Sequence, residues 1–275
     1  MIYQEIQPDP RLKNIVKNYL LVNLYNEGGA LGIKPYPTRI EQALVFFSRG
    51  FIECHDPVVK SSMRIPKNAL FGQQLYRLNF TPVAEGDFLM LMVIFQPGAM
   101  HRLLNIPSFE LSCQFSNAED ILRNGLSSVN DAIANSYSYN EMILHVNRFL
   151  CAKINKRCDE LSPIDRTGYY LLNNTSPFSL NWLARQASLS PRQYERRFVE
   201  RIGITPKLYS RIGRFFRAFE YKEKNPNVDW LTIAINFGFT DYNHMAKDFK
   251  QFANVSPNLL LDEYAKRPEF QLLGI

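Results

Sequence analysis

Two stretches of the chain hold side chains suited to reading a polyanion. Arg192, Glu195 and Arg196 recur three and four residues apart, on one face of a helix. About fifty residues later Tyr242, Asn243, Ala246 and Lys247 fall on the corresponding face of a second helix. Arginine carries paired donors that match the two acceptors of a guanine edge, and asparagine pairs a donor and an acceptor with adenine. A helix entering the major groove brings such residues to the base edges. These seven residues are predicted to contact double-stranded DNA.

The elements that would position them are repeated. "ARQASLSPRQYERRFVERIG", Ala184 to Gly203, shares its plan with "AINFGFTDYNHMAKDFKQF", Ala234 to Phe252. Ala184 corresponds to Ala234, Ser188 to Gly238 and Leu189 to Phe239; after one extra residue, Thr240, Ser190 corresponds to Asp241. Tyr194 then matches Met245, Arg196 matches Lys247, Phe198 matches Phe249, and Gly203 matches Asn254. Two unrelated amphipathic helices would share apolar spacing but not punctuation. Ser179 and Asp229 are placed to cap a first short helix, and Ser190 and Asp241 a second. Gly238 suits a left-handed turn between them, with Leu189 or Phe239 dropping into the core below. The pattern reads as two helix-turn-helix units.

Charge falls on the same segment. Arg166 to Lys250 holds 14 Lys and Arg against 7 Asp and Glu, whereas the rest of the chain holds 18 against 19. The whole excess lies on the repeat, as polyanion binding requires.

Little in the chain points to catalysis. Cys54, Cys113, Cys151 and Cys158 are scattered with no C-x-x-C pair, and His55, His101, His145 and His244 are equally dispersed. Free thiols, no metal and no cofactor are expected. There is no G-x-S-x-G and no phosphate loop. A cupin-like enzyme would need more ligands than His55 and His101, the histidines present before residue 130. The longest apolar run, Phe88 to Phe95, is too short to span a bilayer, and the opening "MIYQEIQPDPRLKN" is polar and proline-broken. A cytoplasmic protein without a membrane partner is expected.

Up to about Phe115 the chain favours strands. "IVKNYLLVNLY", "QALVFFS", "FIEC", "LFGQQLYRLNF" and "FLMLMVIF" are short, rich in β-branched and aromatic residues, and separated by turn residues. The fold class is α+β: an N-terminal β-sandwich or cupin-like barrel, then an all-α domain. Phe46, Phe51, Phe71, Tyr76 and Phe88, with Phe47 and Phe80, are the aromatics expected to line an effector cavity; a dimerising module without an effector is the alternative. Asn140 is expected to cap a helix through Lys156, whose stripe of Met142, Ile143, Val146, Phe149 and Leu150 suits a dimer seam. "RCDELSP", Arg157 to Pro163, reads as a linker, dividing the chain into domains at 1–158 and 159–275.

The stretch from Leu180 to Tyr264 resembles the double helix-turn-helix domain of the AraC/XylS transcription regulators. Their signature has the form A-x3-GF-x-D-x3-F-x-R-x-FK followed by G-x-SP, which "AINFGFTDYNHMAKDFKQFANVSP" follows with Met245, Lys247 and Asn254 at the first Phe, the Arg and the Gly. "RIGRFFRAFEY" supplies the family's R-x3-A as Arg214 and Ala218. Near the N-terminus, "PDPRLKNIVKNYL" and "VIFQPGAMHRLLNIPSFELS" look like a β-rich domain found in some of these regulators. The resemblance implies a bacterial-type activator, working as a homodimer with the transcription machinery, whose N-terminal domain binds a small-molecule effector or holds dimers.

Overall fold

The computed structural model describes residues 2–26, 31–123, 125–154, 160–174 and 178–266. The first half is a β-sandwich. One sheet of six strands runs in the order β1 (Ile2–Ile6), β2 (Val16–Asn26), β9 (Gly86–Phe95), β4 (Ala43–Arg49), β7 (Asn68–Phe71), β10 (Phe115–Asn117). The other has four: β3 (Lys34–Tyr36), β8 (Leu78–Val83), β5 (Phe51–Asp56), β6 (Ser61–Arg64). Every pairing is antiparallel. The segment "LFGQQLYRLNF" is thus two strands in two sheets, because the chain leaves β7 at Gly72 and enters β8 only at Leu78.

Alternation along β4 sorts its residues between two cores. Ala43, Val45 and Phe47 face the opposite sheet, with Ile52, Phe71, Phe80 and Phe88. Leu44 and Phe46 face the other way, into a core closed by helices. Those helices are α1 (Ala99–Leu104), α2 (Ala118–Leu122), α3 (Leu126–Ala134) and α4 (Tyr139–Lys153).

Helix α4 corrects two expectations. Ser138, not Asn140, is its cap: the Ser138 hydroxyl accepts from the Glu141 N–H at 3.2 Å, which leaves Asn140 inside the first turn. The expected end at Lys156 lies outside the described residues, as do Cys158 and the boundary between 158 and 159. The stripe is no dimer seam, because Met142, Ile143, Val146, Phe149 and Leu150 are buried against this chain's own six-stranded sheet. The Tyr19 hydroxyl donates to Asn147 Oδ1 at 2.5 Å and fixes the helix there.

The second half is helical: α5 (Pro163–Asn173), α6 (Leu180–Gln186), α7 (Pro191–Ile202), α8 (Pro206–Lys224), α9 (Trp230–Asn236), α10 (Tyr242–Ala253) and α11 (Pro257–Ala265). Its core is built on Tyr194, Phe198, Phe215, Phe219, Met245, Phe249 and Phe252. Cys54, Cys113 and Cys151 are free thiols. Among the described residues no helix is long and apolar enough to cross a membrane, and no group of three or more His, Cys, Asp or Glu could hold a metal ion.

Candidate nucleic-acid interface and effector cavity

The caps and turns of the repeat recur in the structure. The Ser179 hydroxyl accepts from the Trp182 N–H to start α6, and Asp229 accepts from the Leu231 and Thr232 N–H groups to start α9. Each first helix ends in one left-handed residue, Ser188 at φ +53° and Gly238 at φ +75°. The next N–H then turns back: Leu189 donates to the Ala184 carbonyl at 3.0 Å, and Phe239 to that of Ala234 at 2.9 Å. Ser190 caps α7 in a reciprocal box with Gln193, and Asp241 caps α10 through the His244 N–H at 2.7 Å. Tyr194 and Phe198 in α7, like Met245 and Phe249 in α10, are fully buried. Both second helices end in a left-handed residue, Gly203 at φ +107° and Asn254 at φ +59°.

With those positions inward, the outward faces are fixed. Arg192, Glu195 and Arg196 are exposed on α7, and Asn243 and Lys247 on α10. Tyr242 and Ala246 are only half-buried, and Tyr242 leans on the domain core. The second face is therefore narrower than the first. Helix α8 joins the units: Arg211 and Arg214 reach the buried Asp248 of α10 at 2.5 and 3.2 Å. Arg214 also donates to the Gly238 carbonyl at 2.9 Å and lies 4.0 Å from the centre of the Phe239 ring.

The N-terminal domain grips both second helices by the same two carbonyls. At the end of α7, Ser108 Oγ donates to the Arg201 carbonyl at 2.8 Å, and the Gln73 side-chain amide donates to that of Ile202. At the end of α10, the N–H and hydroxyl of Thr38 both donate to the Phe252 carbonyl, at 2.9 and 3.0 Å. Arg77 donates to the Ala253 carbonyl at 3.2 Å and pairs with Glu263 at 2.8 Å. In repeat register Arg201 matches Phe252 and Ile202 matches Ala253. A helix leaves its last carbonyls without internal partners, and here the other domain supplies them. Gly203 suits this point, because its φ of +107° is a conformation that L side chains rarely adopt. A buried ion cluster adds to the grip: Asp165 of α5 accepts two bonds from Arg201 of α7, at 3.0 and 2.9 Å, and lies 3.4 Å from Arg102 of α1. Pro107 and Phe109 then form one wall of a cleft whose other wall is Arg192, Glu195, Arg196 and Val199. The N-terminal domain stands beside the outward face of α7. None of these gripping residues has a local sequence signature.

A cavity of about 340 Å³ opens between the two sheets. Its floor is laid by the register of β2 on β9, where Asn18, Leu20, Val22 and Leu24 lie opposite Ile94, Met92, Met90 and Phe88. The wall passes from polar to apolar along that line. Lys17, Arg39 and Glu41 stand near the Asn18 end, and Glu5 and Lys34 add charge. Glu220 and Lys224 of α8 complete the lining, so the cavity borders the helical domain. The Arg39 guanidinium lies 4.5 Å from the centre of the Phe216 ring of α8 and donates to the Tyr264 hydroxyl at 3.1 Å.

Of the predicted aromatics, Phe71, Phe80 and Phe88 line this cavity. Phe46 does not, because alternation turns it to the helix-covered face. Phe47 packs beside the Phe88 ring without reaching the lumen. Phe51 lies under the Arg64 guanidinium, 3.8 Å away. Tyr76 lines a separate groove, with Cys54 and Cys113.

Comparison with known proteins agrees with this geometry. Residues 183–262 match a helix-turn-helix domain family. The chain is 30% identical over 145 residues to the HTH-type transcriptional activator RhaS of Pectobacterium atrosepticum, a stretch covering 52% of this chain and 51% of that protein. The chain thus spans about half the length of the curated relative it matches. In fold it is similar to ToxT from Vibrio cholerae, with 15% identity, a TM-score of 0.51, and coverage of 90% of this chain and 99% of that one. It is also similar to ToxT with an unsaturated fatty acid bound, with 14% identity, a TM-score of 0.50, and coverage of 94% and 96%. These two likenesses are of fold alone. A matching domain, a matching signature and doubled helix-turn-helix geometry converge on residues 183–262: this part of the chain is a helix-turn-helix domain, similar to that of the transcriptional activator RhaS.

Proposed function

We propose that the protein is a transcription activator that reads duplex DNA with α7 and α10 and is controlled by an amphipathic effector in the N-terminal cavity. Arg192, Glu195 and Arg196 read one major-groove segment; Asn243 and Lys247, flanked by Tyr242 and Ala246, read the next. The domains divide at 158/159, between the end of α4 and the start of α5. The activator role follows RhaS, and the effector class follows ToxT, whose structure holds an unsaturated fatty acid.

One observation carries the control reading: the cavity is lined by both domains, with Glu220 and Lys224 coming from the helix that joins the two DNA-reading units. A ligand there touches the element whose position sets the relation of α7 to α10. Its volume lies within the usual range of small-molecule sites, about 300–1,000 Å³. A homodimer would double the DNA contact, through a surface other than the buried stripe of α4.

The test pairs two titrations on the full chain. Long-chain acids should raise its melting temperature, because a ligand that binds only the folded state stabilises it. The same acids should change its affinity for a duplex selected from a random library, since coupling between sites is reciprocal for binding. Stabilisation with unchanged DNA affinity would make the ligand an occupant and no effector.

A further inference from the structure

The two grips on the second helices are joined to each other. Thr38, which donates twice to the Phe252 carbonyl at the end of α10, is followed by Arg39. Gln73, whose side chain donates to the Ile202 carbonyl at the end of α7, is followed by Gln74. Arg39 and Gln74 form an antiparallel bridge outside the strands of the two sheets. It is made in both directions: the Arg39 N–H donates to the Gln74 carbonyl at 2.6 Å, and the Gln74 N–H to the Arg39 carbonyl at 2.8 Å. One peptide unit separates each grip from the bridge, and that unit is a stiff plane.

A third segment is tied to the same bridge. The Gln73 carbonyl accepts from the Cys113 N–H at 2.7 Å, and Gln73 Oε1 accepts from Ser112 Oγ at 3.2 Å. These two residues follow the short turn Ser108–Leu111, in which the Ser108 hydroxyl holds the Arg201 carbonyl and Phe109 stands against α7. Thr38, Gln73, Gln74 and Ser108 are all buried. Opening one grip alone would therefore leave main-chain groups of the bridge or of a helix end buried without partners, a state that proteins avoid. Opening every contact together admits water to all of them. Packed interfaces of this kind switch between discrete arrangements and do not deform by degrees.

We infer that Thr38–Arg39, Gln73–Gln74 and the turn from Ser108 to Cys113 form one clamp, which holds α7 and α10 together and releases them in a single event. Arg39 and Gln74 are its positioning residues, since they carry the hold on one helix to the hold on the other. Tyr36, at the end of β3, and Arg39 both line the cavity, with Thr38 between them. A ligand that moves this segment acts on both helices at once. That consequence rests on the effector reading above, whereas the clamp does not.

Hydrogen–deuterium exchange of the full chain, without DNA or ligand, tests the clamp. Peptides covering residues 36–41 report the hold on α10, and peptides covering 108–114 the hold on α7. In the parent both should exchange well ahead of β9, because undocking demands less than global unfolding. Thr38→Val keeps the shape of the side chain and removes one bond to α10, and Ser108→Ala removes one bond to α7. The loss of one neutral hydrogen bond should make opening about fivefold more frequent. In either variant exchange should quicken by that factor in both segments. Thr38→Ser, which keeps the hydroxyl, should exchange like the parent. Each variant is read at both segments, so one suffices if the other does not fold. Quickening confined to the segment that carries the substitution means two independent grips and overturns the inference, as does quickening in neither. Exchange of both segments no faster than that of β9 also overturns it, because the helices are then released only when the whole chain unfolds.

Discussion

Replacing Arg102 with alanine should make the full chain bind DNA more tightly. In the docked arrangement Phe109 and Pro107 stand against the outward face of α7. The major groove is about 12 Å wide and is filled by one helix, so α7 cannot be inserted there with a second loop against its reading face. If α7 reads DNA as proposed, docking and DNA binding by α7 therefore compete. Arg102 strengthens docking from the N-terminal side: its Nε lies 3.4 Å from Asp165 Oδ2, with 3% and 0% of the two side chains exposed. Breaking a buried pair outright costs about 3–5 kcal/mol because a charge is stranded. Here Asp165 keeps both bonds from Arg201, so the loss is smaller, about 1.5–2 kcal/mol on the scale of a charged hydrogen bond. That weakens docking by a factor of about 10–30. While the docked form dominates, apparent affinity rises with the fraction of competent molecules, so Kd should fall by about tenfold. The isolated helical domain sets the ceiling. Fluorescence anisotropy on a duplex selected with the full chain is the assay, with circular dichroism to confirm folding. The sign is diagnostic, since removing a positive charge by itself weakens attraction to DNA. A folded Arg102→Ala protein that binds DNA more weakly, or equally, would refute competition and make the docked form the DNA-binding form.

Arg196→Ala should cost about 1–3 kcal/mol on the selected duplex and relax preference at one base position, whereas Lys247→Ala should lower the slope of log K against log salt by about one; a potassium chloride series separates the two. The matched turn residues should respond with opposite signs in urea unfolding. Gly238→Ala, at φ +75°, should destabilise by about 1–2 kcal/mol, while Ser188→Gly, at φ +53°, should relieve strain of up to about that size. Glu41 is held below its ordinary value in the folded chain, so its contribution to stability is complete above an unfolded pKa of about 4.3 and is lost as pH falls through the lower folded value. Melting temperatures of Glu41→Gln should accordingly depend less steeply on pH on that acid limb than those of the parent. Tyr194→Phe removes a buried hydroxyl that donates to Thr167 Oγ1 at 2.7 Å, and should cost about 1 kcal/mol by thermal melting.

The helical domain was legible because its determinants are local. A cap, a left-handed residue and a buried aromatic each act within one turn of their own position, so Ser179, Ser190, Asp229 and Asp241 announce their helices without reference to the rest of the chain. The cavity depends on pairing instead. Phe46 and Phe47 are neighbours of like chemistry, and only the placement of β4 between β7 and β9 decides which face of the sheet each occupies. Periodicity shows that the stripe of α4 is apolar, but it does not say what will cover it. Asn140 and Ser138 are both good caps, and the chain uses the earlier one. The grips on α7 and α10 were beyond reach, since Thr38 and Phe252 are brought together only by the docking of two domains.

Holding both second helices at their C-terminal carbonyls puts the hold and the reading at opposite ends of each rod. The residues proposed to meet bases sit in the first turns of α7 and α10, and each helix is 12 residues long. At a rise of about 1.5 Å per residue that is about 18 Å, so a tilt of about ten degrees at the held end displaces the far end by about 3 Å. Such a displacement is comparable to the rise between neighbouring base pairs, about 3.4 Å. A change at the hold too small to disturb the hydrogen bonds of either helix would thus move the reading residues by nearly one base step, and in both helices together. On the proposed reading, each helix would act as a lever held by the N-terminal domain at its C-terminal end.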